Sequence, residues 1–293
     1  MRRSTFGETG LEVSRLGLGC GALGDARLGE REAERLLLGA LDLGVTFFDA
    51  ARSYGLAEER LGRHLGSRPD GVVLSTKGGY GASGAEDWTP LAVTRGIDEA
   101  LARLRADRID VFHLHSCPLE VLRREGLLDA LERARAAGKI RVAAYAGDND
   151  ALAWAVGAPV FGSVQCSVSV FDQHALRESL PRARARGLGA VAKRPLGNAP
   201  WRFADRPEGT DAAFSWDRMR ALAVDRGPLA WDALALRFAA FAPGVSCVAL
   251  GTTSLDHLRA AARHLDDGPL PDDVVARLRA RFDAVGAAWP ARI

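Results

Sequence analysis

The chain has 293 residues, 47% of them apolar and 26% charged, with a formal charge of +2; this suits a globular chain able to bury a substantial core. So balanced a charge excludes a dedicated nucleic-acid or membrane-surface role, and the apolar runs fall well short of the ~20 residues a membrane-spanning helix needs. Of the 39 basic residues only Lys77, Lys139 and Lys193 are lysines, so each lysine retained in so arginine-rich a chain invites a functional question.

In chain order, residues 6–13 predict a small β-hairpin turning at Glu8-Thr9-Gly10, followed by a first strand over 14–21. From Glu30, the spacing of Ala33, Leu36, Leu37, Ala40 and Leu41 predicts an amphipathic helix, and a second strand over 46–49 follows at once. Helix and strand then alternate: helix 58–65, strand 71–77, and a third helix opened by Thr89-Pro90 with Val93, Ile97, Ala100, Leu101 and Leu104 on its buried face. The fourth strand ends at His115, and the next helix, 127–136, stops before Gly138. Strands are expected at 141–145, 162–165, 189–193 and 245–250, and helices at 150–156, 176–186, 228–241, 255–265 and 272–285. Residues 194–227, rich in Pro, Gly and aromatics, read as a long loop. Strand–helix alternation repeated eight times without a polar linker predicts an α/β fold, a single (β/α)8 barrel over 1–293 with an N-terminal β-hairpin and an extra C-terminal helix. Cys20, Cys117, Cys166 and Cys247 show no CxxC pairing, and Met1-Arg2-Arg3 is not followed by an apolar segment. Reduced thiols, no signal peptide and a cytoplasmic location are the expectation.

Gly17-Leu18-Gly19-Cys20-Gly21-Ala22 satisfies the G-x-G-x-x-A dinucleotide fingerprint. That motif works only where a helix begins at the glycines and points its N-terminus at the pyrophosphate. Here Gly24, Asp25, Arg27 and Gly29 intervene before any helical pattern, and Asp49 stands later than the ribose-binding acid of that fold should. The fingerprint is set aside.

Asp49, Tyr54, Lys77 and His115 stand at or just beyond the carboxyl ends of three successive predicted strands, and in a parallel barrel those ends open on one face. Taken singly, each has an ordinary account: a buried Asp–Lys ion pair, a turn-capping tyrosine, a satisfied polar histidine. Together they suit proton donation to oxygen. A phenol is a weak acid at neutral pH (about 10), a neighbouring ammonium favours its anion, and an aspartate keeps that ammonium charged. A histidine in reach polarises a carbonyl. His113 and His115 are expected on opposite faces of their strand, and no metal-ligand spacing is found. The partner such an acid lacks is a hydride source.

These residues resemble the aldo-keto reductases, in Leu16-Gly17-Leu18-Gly19, Phe48-Asp49-Ala50-Ala51-Arg52-Ser53-Tyr54-Gly55, Thr76-Lys77-Gly78 and Ile109–His115. The similarity continues through Gly138-Lys139-Ile140-Arg141, Gln165, Lys193-Arg194-Pro195-Leu196-Gly197 and Gly251-Thr252-Thr253. The resemblance implies Tyr54 as the acid, Lys77 and Asp49 as its tuning pair, and His115 as the carbonyl-orienting group, with His113 on a non-catalytic position. It implies NAD(P)H giving its 4-pro-R hydride to an aldehyde, ketone or sugar, or the reverse oxidation. Cofactor contacts would fall on Gly19, Cys20, Gly21, Asp49, Gln165, Lys193, Pro195, Leu196, Gly251, Thr252 and His257. The family's Ser-Asn pair after the fifth strand is replaced by Ala146-Gly147, for which Asp148 or Asn149 would have to compensate. Its Lys and Arg for the NADP 2′-phosphate are replaced by Gly251 and His257, and its adenine-contacting pair by Ala260-Ala261, leaving Arg259 or Arg263 as substitutes. NADPH is the expected cofactor, with NADH open. Trp88, Trp201 and His115 are the expected substrate contacts; Phe203 and Trp289 would complete an aromatic rim, with Phe171, Cys117 and Cys166 as wall. Two other readings share these features: a nucleotide-sensing subunit of the channel β-subunit type, and a barrel enzyme using Lys77 as a Schiff-base amine.

Overall fold

A computed structural model describes residues 1–66 and 69–291. The first strands, β1 (Arg3–Thr5) and β2 (Glu12–Ser14), pair antiparallel with Arg3 opposite Ser14. Residues 6–11 form the turn, closed by Phe6 N–H donating to the Leu11 carbonyl at 2.9 Å. The expected hairpin is therefore present, but its first strand, Arg3–Thr5, lies before the 6–13 span and only Glu12 and Val13 of that span join the ladder. The apolar side chains of Phe6, Leu11 and Val13 turn inward to a shared buried cluster.

The remaining strands are β3 (Leu16–Gly19), β4 (Phe47–Asp49), β5 (Val73–Gly78), β6 (Ile109–His115), β7 (Ile140–Ala146), β8 (Ser163–Ser167), β9 (Gly189–Lys193) and β10 (Cys247–Gly251). They close into a parallel barrel in the order β10-β3-β4-β5-β6-β7-β8-β9. Outside it pack α1 (Glu30–Asp42), α2 (Ala57–Leu65), α3 (Pro90–Leu104), α4 (Leu119–Leu122), α5 (Leu127–Ala136), α6 (Asn149–Gly157), α7 (Ser179–Ala185), α8 (Ala212–Leu222), α9 (Trp231–Ala240), α10 (Leu255–Asp266) and α11 (Asp272–Val285). Among the described residues no helix is long and apolar enough to cross a membrane.

Side chains alternate across each strand, so every strand feeds two cores. Outward residues such as Phe48, Leu74, Phe112, Leu114 and Val164 meet the helices in the larger cluster. Inward residues Phe47, Val73, Val111, Val142, Val191 and Cys247 fill the amino half of the barrel together with Phe6, Leu11 and Val13 from the hairpin. That half is plugged with apolar side chains, which leaves the polar inward residues to the carboxyl half.

Two elements depart from expectation. The 194–227 segment contains α8, whose buried face carries Ser215 and Arg218 beside Ala212, Ala213 and Leu222. An arginine in the buried stripe hides the apolar periodicity. It is accommodated because its guanidinium lies 3.9 Å from the Phe214 ring centroid, donates to the Phe171 carbonyl at 3.1 Å and bonds the Pro290 carbonyl. The helix expected over 176–186 is a tight turn at His174–Leu176 followed by α7; Pro181 falls in the first turn of α7, where no N–H is needed.

Candidate active site

Adjacent strands bring the four residues together. β4 ends at Asp49, which stands beside Ser75 of β5, and Lys77 of β5 stands beside His113 of β6. Asp49, Ser75, Lys77, His113 and His115 all take the inward positions of their strands. Residues 113 and 115 therefore share a face, and the expectation that they oppose one another is corrected: a two-residue step returns a strand to the same side. Tyr54 lies on the turn between β4 and α2. That turn is shaped by Gly55 at φ +48° and by its close approach to Gly24, where a Cβ would fall 1.6 Å from the Tyr54 carbonyl oxygen.

Lys77 is 2% exposed; its Nζ donates to Asp49 Oδ2 and to the Ala50 carbonyl, both at 2.7 Å, and lies 4.9 Å from the Tyr54 ring centroid. Asp49 also accepts from Ser75 Oγ at 2.8 Å and from Gln165 Nε2 at 2.9 Å. Burial alone would raise the Asp49 carboxyl, but the Lys77 ammonium and the hydrogen bonds from Lys77 and Gln165 hold it below its ordinary value. Burial would likewise lower Lys77; the Asp49 carboxylate outweighs it and holds the ammonium above its ordinary value. So firmly charged an amine is poorly suited to Schiff-base attack, which needs the free base. His115 meets the Tyr54 ring edge-on, with centroids 5.9 Å apart. Burial and the nearby Lys77 charge push its imidazole down to about 3, so it is neutral.

Asp49, Tyr54, His115 and Gln165 line a cleft of about 1020 Å³ at the carboxyl ends of the strands, while Lys77 stays buried and reaches it through its contacts with Asp49 and Tyr54. Of the expected cofactor contacts, Gly19, Gly21, Asp49, Gln165, Lys193, Pro195, Leu196, Gly251, Thr252 and His257 line it. Cys20 does not: it is fully buried with its thiol on the Leu18 carbonyl, because β3 turns its side chain away from the cleft. Of the aromatics expected at the rim, Trp201 lines the cleft, stacked on Trp231 at 5.7 Å and 12°. Trp88 does not; it packs on Tyr80 with ring centroids 5.5 Å apart. Phe203 is 40% exposed away from it, Trp289 packs edge-on to Phe282, and Phe171, Cys117 and Cys166 are buried in the helix-side core.

Neither expected substitute for the Ser-Asn pair is aimed into the cleft. Asp148 is buried, pairs with Lys193 at 2.8 Å and accepts from Ser167 N–H at 2.8 Å. Asn149 exchanges two 3.1 Å hydrogen bonds with the backbone of Ala291. Arg259 and Arg263 are likewise absent from the lining, and Arg259 pairs with Asp256 at 2.9 Å. The basic residues that do line it, besides His115, Lys193 and His257, are Arg194, Arg202 and His264. Sequence reasoning gave no part in the site to Ser75, His113, Ser53 or Tyr80. The first two follow from stepping back two residues from Lys77 and His115 on the inward face. Tyr80 sits in an aperiodic loop and carries no such signal.

A parallel eight-stranded barrel with a charged, tyrosine-bearing cleft at its carboxyl face belongs to the barrel enzymes. The Aldo/keto reductase family model matches residues 15–281, and the chain belongs to that family, whose members are oxidoreductases acting on carbonyls. It is 26% identical to L-galactose dehydrogenase of Arabidopsis thaliana, over 98% of this chain and 97% of that protein. It is 29% identical to the "Probable voltage-gated potassium channel subunit beta" of Oryza sativa subsp. japonica, over 96% of each chain. Among solved structures it superposes on an aldo-keto reductase of Bacillus halodurans in its holo form with a TM-score of 0.82, at 24% identity and 96% coverage of both chains.

The cleft fits a nicotinamide dinucleotide. One end is bounded by Tyr54, His115 and Gln165; the other reaches Gly251, Thr252 and the first turns of α10. Ser254 caps α10 by accepting from the His257 N–H, and a Cβ at Gly251 would meet only the Gly19 carbonyl oxygen, at 3.9 Å. A side-chain-free backbone leading into a helix N-terminus is suited to a phosphate.

Proposed function

We propose that the chain is an NAD(P)(H)-dependent reductase of small aldehydes, ketones or sugars, also able to oxidise the corresponding alcohol, with Tyr54 as general acid and base. The observation that carries this reading is the buried Asp49–Lys77 pair with its ammonium against the Tyr54 ring and His115 across from it in one open cleft. A reduced nicotinamide, when bound, supplies the hydride. Gln165, Lys193, Arg194, Pro195, Leu196, Gly251, Thr252 and His257 are the residues that would hold the dinucleotide. Tyr54 donates its hydroxyl proton to the carbonyl oxygen of the substrate. The Lys77 ammonium stabilises the negative charge left on the phenol oxygen, and Asp49 keeps that ammonium charged and fixed. His115 orients the carbonyl, and Trp201 forms part of the substrate wall. NADPH is the proposed cofactor: the α10 end of the cleft offers His257 and helix N–H groups to a phosphate, though not the cationic clamp of the family's motif.

Replacing Tyr54 by Phe removes the acid and leaves the ring. NADPH-dependent turnover over a panel of carbonyls is expected to fall by roughly 10²–10⁴-fold, the usual weight of a positioned acid, while NADPH fluorescence titration gives an unchanged Kd. Full rate in the Phe variant would refute the assignment. Titrating NADH in parallel measures the cofactor preference. The relationship to a channel β-subunit favours a second reading, a nucleotide-sensing subunit. Retention of Tyr54, Lys77 and His115 weighs against it, since a sensor has no use for the acid; NADPH binding with no consumption across the whole panel would restore it.

A further inference from the structure

Tyr80 lies outside the four residues of the proposed acid site, yet it makes the closest side-chain contact to His115. Its hydroxyl is 2.7 Å from His115 Nδ1 and 2.9 Å from Ser53 Oγ. The ring packs on two aromatic neighbours. One face lies on the His115 imidazole with centroids 5.7 Å apart at 29°, and Trp88 packs against it at 5.5 Å. Trp88 is itself held at φ +62° with its N–H on the Gly79 carbonyl at 2.7 Å. No described residue hydrogen-bonds the other ring nitrogen, Nε2, of this cleft-lining histidine.

We propose that Ser53 and Tyr80 form a directed hydrogen-bond chain that holds His115 in its Nε2–H tautomer, so that the imidazole presents a donor and not a lone pair to an oxygen in the cleft. The neutral imidazole has one donor and one acceptor nitrogen, and the partner of one decides the role of the other. Each hydroxyl proton can rotate toward either partner, so two directions satisfy the observed distances. In one, Tyr80 donates to Ser53 and His115 Nδ1–H donates to Tyr80, which leaves a bare lone pair on Nε2. In the other, Ser53 donates to Tyr80 and Tyr80 donates to Nδ1, which leaves Nε2–H free. The second pairs the stronger donor, a phenol, with the stronger acceptor, an imidazole nitrogen. Ser53 is exposed and can give its proton as readily as take one. Burial also raises the Tyr80 phenol, which keeps it protonated and able to donate. Tyr80 is thus a positioning residue, acting through His115. Its effect on turnover rests on the proposed reduction of a carbonyl, because only an oxygen acceptor benefits from Nε2–H.

Two-bond ¹H–¹⁵N correlation spectra of ¹⁵N-histidine-labelled protein at pH 7 read the tautomer without cofactor or substrate. His115→Gln identifies the His115 signals among the six histidines. The expected wild-type pattern has Nε2 protonated and Nδ1 bare; Tyr80→Phe, which keeps both ring contacts, moves it towards a mixture of tautomers. An Nδ1–H pattern in the wild type, or an unchanged pattern in Tyr80→Phe, overturns the proposal. In turnover assays Tyr80→Phe is expected to lower kcat about tenfold, or about 1.4 kcal/mol, with the NADPH Kd unchanged. In a His115→Gln background it should have no further effect; an equal loss there would overturn the proposal. An Nε2–H wild type that Tyr80→Phe perturbs, in a protein that consumes no NADPH with any carbonyl, would sustain tautomer control and sink the proposed reductase function.

Discussion

Asp49 and Lys77 would be costly neighbours if either were left alone, since an unpaired buried charge destabilises by about 3–5 kcal/mol. Here the carboxylate accepts from Lys77, Ser75 and Gln165, and His113 Nε2 stands 3.1 Å from the Ser75 hydroxyl. His113 extends the polar layer one step deeper and is fully buried. Burial pushes its imidazole down to about 4, against about 6.5 in an unfolded chain. Between those pH values the unfolded chain binds a proton that the folded chain does not, so stability rises with pH through the window and is lost as pH falls. The loss from pH 7 to pH 4 is about 3 kcal/mol for this one group, and His115 acts in the same direction. Urea unfolding across that range should show the decline, and His113→Asn should remove about one proton's worth of slope. An unaltered slope in the variant would mean that His113 is not the titrating group.

At the scale of elements, the site depends on how two turns meet. Tyr54 belongs to no strand; its position comes from the Gly24–Gly55 approach and from Leu56 N–H donating to the Gly24 carbonyl at 3.0 Å. In Gly24→Ala the new methyl collides with the Tyr54 carbonyl, and the turn must shift to relieve it. NADPH-dependent turnover is expected to fall at least about tenfold, with a stability loss of about 1–3 kcal/mol, while far-UV circular dichroism stays that of the barrel. Unimpaired kcat in this variant would show that the turn tolerates displacement. The same scale explains which elements were readable. α5 and α11 begin and end where their apolar stripes do, and Gly138 at φ +74° marks the end of α5. The Thr89 side chain caps α3 as its Thr-Pro start predicts, accepting from Ala92 N–H at 3.1 Å. α8 was unreadable because the residue at the centre of its buried face is an arginine whose partners lie 47 and 72 residues away.

Across the whole molecule the two ends of the barrel divide their work. The amino end is closed by Phe6, packed 5.8 Å from Phe47 and fully buried, and the carboxyl end holds the polar layer and the cleft. Phe6→Ala is expected to cost about 3–5 kcal/mol of stability with kcat near normal in the folded fraction. Loss of turnover in a stably folded variant would mean that the plug also shapes the cleft. The C-terminal segment ties back across the fold through Asn149, Arg218 and Trp289, so Trp289, expected at the cleft rim, instead packs against α11.

By itself the sequence determined the barrel, because eight alternations of strand and helix period leave few other ways to bury both faces of every strand. It also determined that Asp49, Lys77 and His115 share one end, because a parallel strand carries its last inward residue to the carboxyl face. What only the tertiary structure decided were contacts between loops and between distant helices. Tyr80 against His115, Asp148 turned to Lys193, Cys20 and Trp88 withdrawn from the cleft, and Arg218 under the C-terminal segment all depend on where non-periodic segments land, which no spacing along the chain encodes.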